Sequence, residues 1–269
     1  MPKSRLFNVD AIILRRSDFD EADRVLTVFT AERGKLRLLA KGARKTTSRK
    51  SGHIELFTHA TLQVAEGRTW GIVSQAETVE SFRALREDLD KISQAYYLAE
   101  LVDKFSEEND PSFPLFELAV LTLARLNDSP PATTSMAMRF FDLHLLRLTG
   151  YQPQLHFCIA CNKPLEAEDN YFHPAEGGVF CPNCGATRPG TQRLSLGALK
   201  VLRFLQTRSW EEAARLHLTP ATQHEVEKTL LDYITHILER KLKSVDFLRK
   251  LRQNKKIMDE AISPAKTPI

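Results

Sequence analysis

The sequence has few cysteines, few aromatic side chains and no long apolar segment. Among its 269 residues there are four cysteines, and Phe, Trp and Tyr together make up 8%. The longest stretch without a charged side chain, residues 148–162, is interrupted by Gly150 and Pro153, so it does not supply the roughly 20 apolar residues of a membrane helix. The apolar patch at residues 11–14 is too short for a secretory signal. We therefore expect a cytoplasmic protein with no membrane partner.

Catalytic and nucleotide-binding motifs are missing as well. The sequence contains no phosphate-binding loop, no dinucleotide-binding glycine pattern, no His-Glu-x-x-His motif and no Gly-x-Ser-x-Gly elbow. One acidic cluster would suit a metal-dependent nuclease: Asp18, Asp20, Glu21 and Asp23. A surface turn with one carboxylate paired to Arg24 explains the same residues more simply. We expect a protein that is not an enzyme.

The net charge of +4 is modest, but the basic residues are unevenly distributed. Residues 33–50 contain eight basic side chains and no acidic one, and residues 241–256 contain seven against the single Asp246. Local basic fields on a nearly neutral body favour contact with phosphates or with acidic partner segments. A solvated surface is the alternative interpretation of each run.

The first 80 residues have the alternation and the turns of a small all-β domain. Five strand-length runs rich in Val, Ile, Leu, Thr and Phe are predicted at residues 9–14, 24–29, 36–40, 56–65 and 71–75. Gly34 and the Glu66-Gly67 pair mark turns between them. Five short strands favour an OB-fold barrel over residues 1–80, with a small sheet sandwich as the competitor.

After residue 80 the apolar period becomes helical. Helices are predicted at residues 92–105, 115–126, 138–148, 196–205, 210–216 and 220–242. We predict that the last helix continues to residue 251 and that residues 258–269 form a frayed end. The fold class is therefore α+β multidomain. The barrel is followed by a mainly α-helical domain over residues 81–269, which is interrupted by a zinc-ribbon-like module at residues 154–190.

All four cysteines occur in two Cys-x-x-Cys pairs. Cys158 and Cys161 form the first pair and Cys181 and Cys184 the second, with nineteen residues between the pairs. This spacing is typical of a zinc ribbon or treble clef, in which four thiolates surround one tetrahedral ion. We predict one structural Zn²⁺ that holds together a segment too small to bury its own core.

Other roles for these cysteines are less favoured. A disulfide framework does not suit a reducing compartment, and a redox role requires one activated pair rather than two matched ones. His156 and His173 lie nearby in the sequence and are alternative ligands. Four thiolates already complete a structural site, so no open coordination position is left for catalysis.

Several segments carry a resemblance to a known family. They are residues 11–14 (AIIL), 21–30 (EADRVLTVFT), 34–35 (GK), 40–45 (AKGARK) with Ser48, and 150–153 (GYQP) just before the first cysteine pair. In this order, and with the four-cysteine insert, the chain resembles the bacterial RecO family of recombination mediators over nearly its whole length.

The resemblance implies a fold and a function. It implies an N-terminal OB-fold, a helical domain and a zinc-binding module, and a role in DNA repair and homologous recombination. RecO-like proteins bind single- and double-stranded DNA, anneal complementary strands and, with RecR, help to load RecA onto DNA coated by single-stranded DNA-binding protein. The resemblance further implies a site in the helical part for the acidic C-terminal tail of that coating protein, and a place at the nucleoid.

The residues add a physical picture of the DNA contact. OB-folds bind single strands with cations along the backbone and aromatic stacking platforms. We predict contacts in and around a mobile basic loop after the third strand, from Lys35, Arg37, Lys41, Arg44, Lys45, Arg49, Lys50, Arg68 and Trp70. Because cations outnumber aromatics here, binding is expected to be mainly electrostatic, with little sequence preference and an affinity that falls with salt. A partly buried barrel residue is the alternative interpretation of Trp70.

Three further questions stay open in the sequence. The basic run at residues 241–256 is either a second DNA surface or a dock for an acidic peptide. A zinc-ribbon adaptor of transcription or RNA metabolism is an alternative function, which selective RNA retention without strand annealing would favour. A nuclease that uses residues 18–23 is another, which magnesium-dependent cleavage would favour.

Overall fold

The computed structural model describes residues 6–248, 250, 251 and 253. Its first part is all β, with strands β1 (Leu6–Phe19), β2 (Asp23–Thr30), β3 (Gly34–Ala40), β4 (His59–Ala65) and β5 (Gly71–Glu80). All five predicted strands are present. The fourth begins three residues later than predicted, because Phe57 is buried in a left-handed backbone conformation (φ 65°) that interrupts the extended chain.

The five strands close into a barrel in the order β1-β2-β3-β5-β4. Neighbouring strands are antiparallel, except that β3 and β5 pair in parallel where Leu38 lies opposite Gly71. The barrel closes where β1 pairs with β4, from Leu6 opposite Ala65 to Ile12 opposite His59. This closed five-stranded arrangement confirms the OB-like barrel and excludes the sheet sandwich.

Strand β1 is apolar on both of its faces. Val9, Ala11 and Ile13 lie in the barrel interior, whereas Ile12 and Leu14 belong to a larger core shared with the helices. Successive side chains of a strand point to opposite faces, so burial of both faces explains the unbroken apolar run in the sequence. One side of the barrel is therefore covered by the helical part.

The helical part contains every helix that the sequence predicts. The helices are α1 (Arg83–Glu87), α2 (Leu89–Phe105), α3 (Phe113–Asp128), α4 (Pro131–Leu148), α5 (Pro182–Gly185), α6 (Leu196–Thr207), α7 (Trp210–Ala213) and α8 (Pro220–Leu238). Side chains cap several N-termini: Asp88 on α2, Ser195 on α6 and Thr219 on α8 accept hydrogen bonds from first-turn N–H groups. No helix among the described residues is long and apolar enough to cross a membrane.

The prediction of one continuous last helix is wrong. Helix α8 stops at Leu238, and Glu239 follows in a left-handed conformation (φ 52°). A separate helical segment then begins, and the Glu100 carboxylate on α2 accepts hydrogen bonds from the N–H groups of Lys243 (3.0 Å) and Ser244 (2.8 Å) at its start. A negative charge at a helix N-terminus is favourable, so Glu100 fixes this new start.

Part of the second basic run cannot be placed. Residues 249, 252 and 254–269 lie outside the described residues, and with them four of its cations: Arg249, Arg252, Lys255 and Lys256. The predicted frayed end at residues 258–269 also lies outside them.

A cysteine module, residues 154–194, lies between α4 and α6. Its three-stranded sheet has the order β7-β6-β8, formed by β6 (Asn170–His173), β7 (Gly178–Phe180) and β8 (Gln192–Leu194). The Phe172 ring contacts the Tyr233 ring of α8 edge to face at 5.5 Å, and the Tyr233 hydroxyl donates a hydrogen bond to the Tyr151 carbonyl at 3.0 Å. The module is thus packed against the last long helix.

The connecting segment between α2 and α3, residues 106–112, joins the helical part to the barrel. The Asn109 N–H donates to the Lys35 carbonyl of β3 at 3.1 Å. Two barrel cations converge on Asp103 at the end of α2: Arg15 reaches its carboxylate at 2.8 Å, and the Lys35 ammonium donates to its backbone carbonyl at 2.6 Å. The barrel is therefore docked by both backbone and charged contacts.

Gly34 lies where the chain cannot accept a side chain. Its φ is +63°, and a Cβ atom there would lie 2.1 Å from the Asp110 carbonyl oxygen of the connecting segment. We expect Gly34→Ala to lower the free energy of unfolding by about 2 kcal/mol or more, because the backbone is strained and the two parts are pushed apart.

Variants at two other glycines allow the effects of backbone strain and of the contact with Asp110 to be measured separately by chemical denaturation. Gly150 has a φ of +84° with open space around it, so Gly150→Ala reports strain alone, about 1 kcal/mol. Gly52 has open space, and Gly52→Ala is expected to change the unfolding free energy by less than about 0.5 kcal/mol. Equal losses in Gly34→Ala and Gly150→Ala would show that the contact with Asp110 has no energetic weight.

Candidate nucleic-acid interface and metal centre

The basic loop, residues 41–50, is fastened to the turn between β1 and β2. The Asp23 carboxylate accepts a hydrogen bond from the Gly42 N–H at 2.7 Å, and the Arg44 N–H donates to the Ala22 carbonyl at 2.9 Å. The Arg44 guanidinium lies 3.5 Å from the Asp18 carboxylate. The loop that we expected to be mobile is thus anchored by the acidic turn.

These contacts also settle what the acidic cluster does. Asp18 pairs with Arg24 at 3.2 Å, as the simpler interpretation of the cluster predicted, and it also pairs with Arg44. Among the residues that the structure describes, only the four cysteines form a group of three or more His, Cys, Asp or Glu side chains able to hold a metal ion. The geometry therefore gives no support to a nuclease centre at residues 18–23.

The predicted DNA-binding cations fall into two sets. In one set the side chain is exposed and has no partner among the described residues: Lys41, Lys45, Arg49 and Arg68. In the other set the charge is engaged. Lys50 donates to the Val73 carbonyl at 2.9 Å, and burial lowers the pKa of its ammonium despite the nearby Asp23 carboxylate. Only the first set is immediately available to phosphate.

Two predicted contacts on β3 lie next to the connecting segment. Lys35 is largely buried, since 15% of its side chain is exposed, and its ammonium contacts Asp103. Arg37 is 59% exposed and its guanidinium lies 3.3 Å from the Glu108 carboxylate. A surface pair of this kind contributes little free energy, so Arg37 remains able to exchange its partner whereas Lys35 does not.

Trp70 is half-buried and pairs with a second aromatic residue. Its ring meets the Phe19 ring edge to face at 5.7 Å, and Phe19 is 40% exposed at the end of β1. The pair joins the loop after β1 to the loop before β5, the two loops that OB-folds use around their ligands. Sequence reasoning missed Phe19 as a partner of Trp70; its place at a strand end beside polar residues was the available signal.

The four cysteines form a compact cluster. All four Sγ atoms lie within 4.8 Å of one another, and those of Cys161 and Cys181 are 3.9 Å apart. Each pair forms a tight turn. In the first, the Asn162 N–H donates to the Cys158 carbonyl at 2.8 Å, and in the second the Cys184 N–H donates to the Cys181 carbonyl at 3.0 Å. The two turns bring thiols from opposite ends of the cysteine module together.

The thiols differ in acidity. Burial acts to raise the pKa of Cys158, but hydrogen bonds from the N–H groups of Cys161, Cys181 and Ala160 outweigh it and lower the pKa to about 6. The pKa of Cys184 is raised to about 12, first by its hydrogen bond with the Cys181 thiol and then by burial and the other sulfurs. Hydrogen bonds from the backbone thus favour the thiolate form of Cys158, and the neighbouring sulfurs oppose further negative charge unless a cation is bound.

The two histidines weighed as ligands lie outside the sulfur cluster. His173 uses its ring elsewhere, since Nδ1 accepts a hydrogen bond from the Glu176 N–H at 3.3 Å and Nε2 lies 3.2 Å from the Pro189 carbonyl. Burial and the nearby Arg203 lower the pKa of His156. The geometry favours an all-sulfur donor set.

Comparison with known proteins assigns the chain to a family. The model described as "Recombination protein O N terminal" matches residues 4–82, and "Recombination protein O C terminal" matches residues 86–246. The chain belongs to the RecO family. The resemblance drawn from the sequence is thereby confirmed, together with a role in DNA repair and recombination.

Full-length RecO relatives are similar along most of this chain. The DNA repair protein RecO of Roseiflexus sp. (strain RS-1) is 43% identical over 251 residues, which cover 93% of this chain and 88% of the relative. The DNA repair protein RecO of Symbiobacterium thermophilum is 36% identical over 249 residues, covering 92% and 98%. One of Dehalococcoides mccartyi (strain BAV1) is 36% identical over 253 residues, covering 94% and 98%.

The contrast between Lys50 and Lys45 gives a test of the loop. We expect Lys50→Ala to lower the free energy of unfolding by about 1 kcal/mol, because the Val73 carbonyl loses a charged donor. Lys45→Ala removes the same charge from an exposed side chain and should leave stability unchanged. Chemical denaturation at neutral pH measures both. If the two variants are equally stable, Lys50 does not brace the loop.

Proposed function

We propose that the protein is a recombination mediator without catalytic activity. It binds single- and double-stranded DNA, anneals complementary strands and, with RecR, helps to load RecA onto DNA coated by single-stranded DNA-binding protein. Family membership supports the role in DNA repair and recombination. We also propose a division into a DNA-binding barrel (residues 1–80) and a helical domain (residues 81–269), interrupted by a zinc module (residues 154–190). The proposed ligand, chromosomal DNA, gives the protein a place in the cytoplasm at the nucleoid.

One observation carries the proposal: unpaired cations lie in the basic loop, which is anchored to the turn after Phe19, and in the loop that carries Trp70. The cations are Lys41, Lys45, Arg49 and Arg68, and Phe19 and Trp70 form an aromatic pair. Cations along the backbone and aromatic rings under the bases are the two means by which OB-folds hold single strands. Arg37 and Arg44 are secondary contacts in this proposal, since a phosphate can replace their exposed carboxylate partners. Lys35 and Lys50 are left out of it.

This surface suits annealing better than tight sequestration. Neutralising phosphates lowers the repulsion between two complementary strands, and counterion release makes the binding depend on salt. With few stacking residues, most bases stay free to find their complements. The proposed mechanism is therefore electrostatic, with little sequence preference.

The protein partners belong to the same proposal. For the acidic tail of single-stranded DNA-binding protein we propose a groove of about 150 Å³ in the helical part. Six apolar side chains line it, namely Met136, Val201, Leu205, Leu216, Leu218 and Val226, together with Arg139, whose buried guanidinium pairs with Asp142. The apolar lining complements the apolar residues of such a tail.

The function is tested by annealing of two complementary labelled oligonucleotides coated with single-stranded DNA-binding protein. We expect the native protein to accelerate annealing at low salt and much less at high salt. A Lys41→Gln, Lys45→Gln, Arg49→Gln variant should anneal slowly. Its single-strand affinity should show a log–log salt slope smaller by about 2, at roughly 0.7 for each phosphate contact.

A matched variant removes three exposed cations outside the barrel: Lys163→Gln in the cysteine module, and Lys200→Gln and Arg215→Gln in the helical part. It should retain the native salt slope and annealing rate, because these side chains lie away from the barrel. Equal losses of annealing rate and salt slope in both triple variants would show that the loop cations act only through the net charge of the protein. No acceleration by the folded native protein would overturn the mediator function.

We further propose that the cysteine module holds one zinc ion through Cys158, Cys161, Cys181 and Cys184. Four convergent sulfurs and N–H groups directed at a thiolate fit a tetrahedral structural ion. The ion would offset part of the negative charge of the thiolates and join the two turns. A complete thiolate set leaves no position for a catalytic water.

We expect about one zinc per chain by elemental analysis of the purified protein. Cys161→Ser and Cys184→Ser should each abolish stoichiometric zinc and lower the thermal midpoint by about 5 °C or more, because the sulfur cluster loses its bridge. His156→Ala should retain full zinc, since the ring is outside the cluster. Zinc loss in His156→Ala, or full zinc in both serine variants, would contradict the all-cysteine ligand set.

A further inference from the structure

A shallow groove of about 310 Å³ runs along β3. Leu36 and Leu38 of β3 line it, and Trp70 and Gly67 line it from the loop between β4 and β5. Its volume is at the lower end of the range for small-molecule sites. The groove thus combines an indole ring with polar and charged side chains in a small space.

Two flat groups face this groove. The Arg33 guanidinium carbon lies 3.8 Å from the centre of the Phe7 ring, and both residues line the groove together with Trp70. Arg33 is exposed, and its side chain has no carboxylate partner among the described residues. A guanidinium plane supported on one side by an aromatic ring is a platform on which nucleobases stack, as they do on indole rings.

Charges of both signs line the groove. The cations Arg33, Lys35 and Arg37 and the carboxylates of Glu66 and Glu108 are part of the lining. Arg37 pairs with Glu108 and Lys35 with Asp103, which leaves Arg33 as the cation without a carboxylate partner in the part of the chain that the structure describes. Carboxylates accept hydrogen bonds from base amino groups. The groove therefore offers a flat cation and hydrogen-bond acceptors to a base, and the cations of the basic loop lie outside its lining.

We propose that this groove is a subsite for an unstacked nucleobase of a single strand, held between the Arg33–Phe7 platform and Trp70. The inference rests on the proposed DNA-binding function and deepens it. Bases in a duplex are already stacked and paired, so the groove acts on single strands only. Stacking tolerates any base, so the subsite adds affinity without sequence preference.

The test compares two labelled strands of equal length in fluorescence anisotropy, one of thymidine nucleotides and one with abasic sugar at every position. Arg33→Lys keeps the charge and removes the plane. We expect it to weaken binding of the thymidine strand about tenfold and binding of the abasic strand less than about twofold. Arg215→Lys in the helical part is the matched control. Arg215 is exposed and lies outside the lining, so both affinities should stay native.

The outcomes separate the inference from the function on which it rests. Equal loss on both strands in Arg33→Lys, or no loss on either, overturns the nucleobase subsite while DNA binding stands. Native protein that binds the abasic strand as tightly as the thymidine strand also overturns it. Native protein that binds neither strand overturns the proposed DNA-binding function, and the inference with it.

Discussion

The covering of one side of the barrel by the helices is the constraint on which the rest of the arrangement depends. Ile12 and Leu14 of β1 are buried against the helical part, and the Phe29 ring of β2 meets the Phe116 ring of α3 at 6.3 Å. This apolar contact covers part of β1 and β2, and the connecting segment covers the start of β3. The proposed interface lies on the basic loop and on the loop before β5, where the cations are exposed.

Contacts with the helical part and within the barrel give five cations of the basic run at residues 33–50 three different roles. The Lys35 ammonium donates to the Asp103 carbonyl, and the Lys50 ammonium donates to the Val73 carbonyl and so holds the loop against β5. Lys41, Lys45 and Arg49 are left for a ligand. Cations that look alike in the sequence therefore differ in the structure, because some of them pair with carboxylates. These carboxylates come from the end of β1 and from the end of α2.

Local pattern predicted most elements of the fold, and long-range contacts account for what it missed. Strand alternation, helical stripes and the spacing of the cysteines are properties of neighbouring residues, so the barrel, the helices and the sulfur cluster could be predicted. The engagement of Lys35 depends on Asp103, which is 68 residues away. The break after Leu238 goes with Glu100, which lies 143 residues before Lys243. The periodicity of neighbouring residues does not reveal partners so far apart in the sequence. For the same reason the pairing of Phe19 with Trp70 could not be predicted.

A buried ion pair of α4 meets α2 inside the helical part. Arg139 and Asp142 of α4 are almost fully buried with Tyr97 of α2, and burial raises the pKa of Asp142 to about 6 although Arg139 acts to lower it. Because the folded state holds this proton more tightly than the unfolded chain, the carboxyl contributes less stability as pH rises from about 4 to 6. A buried pair of this kind is costly compared with apolar packing. Tyr97 of α2 reaches this pair on α4, and Arg139 also lines the groove proposed for the acidic tail.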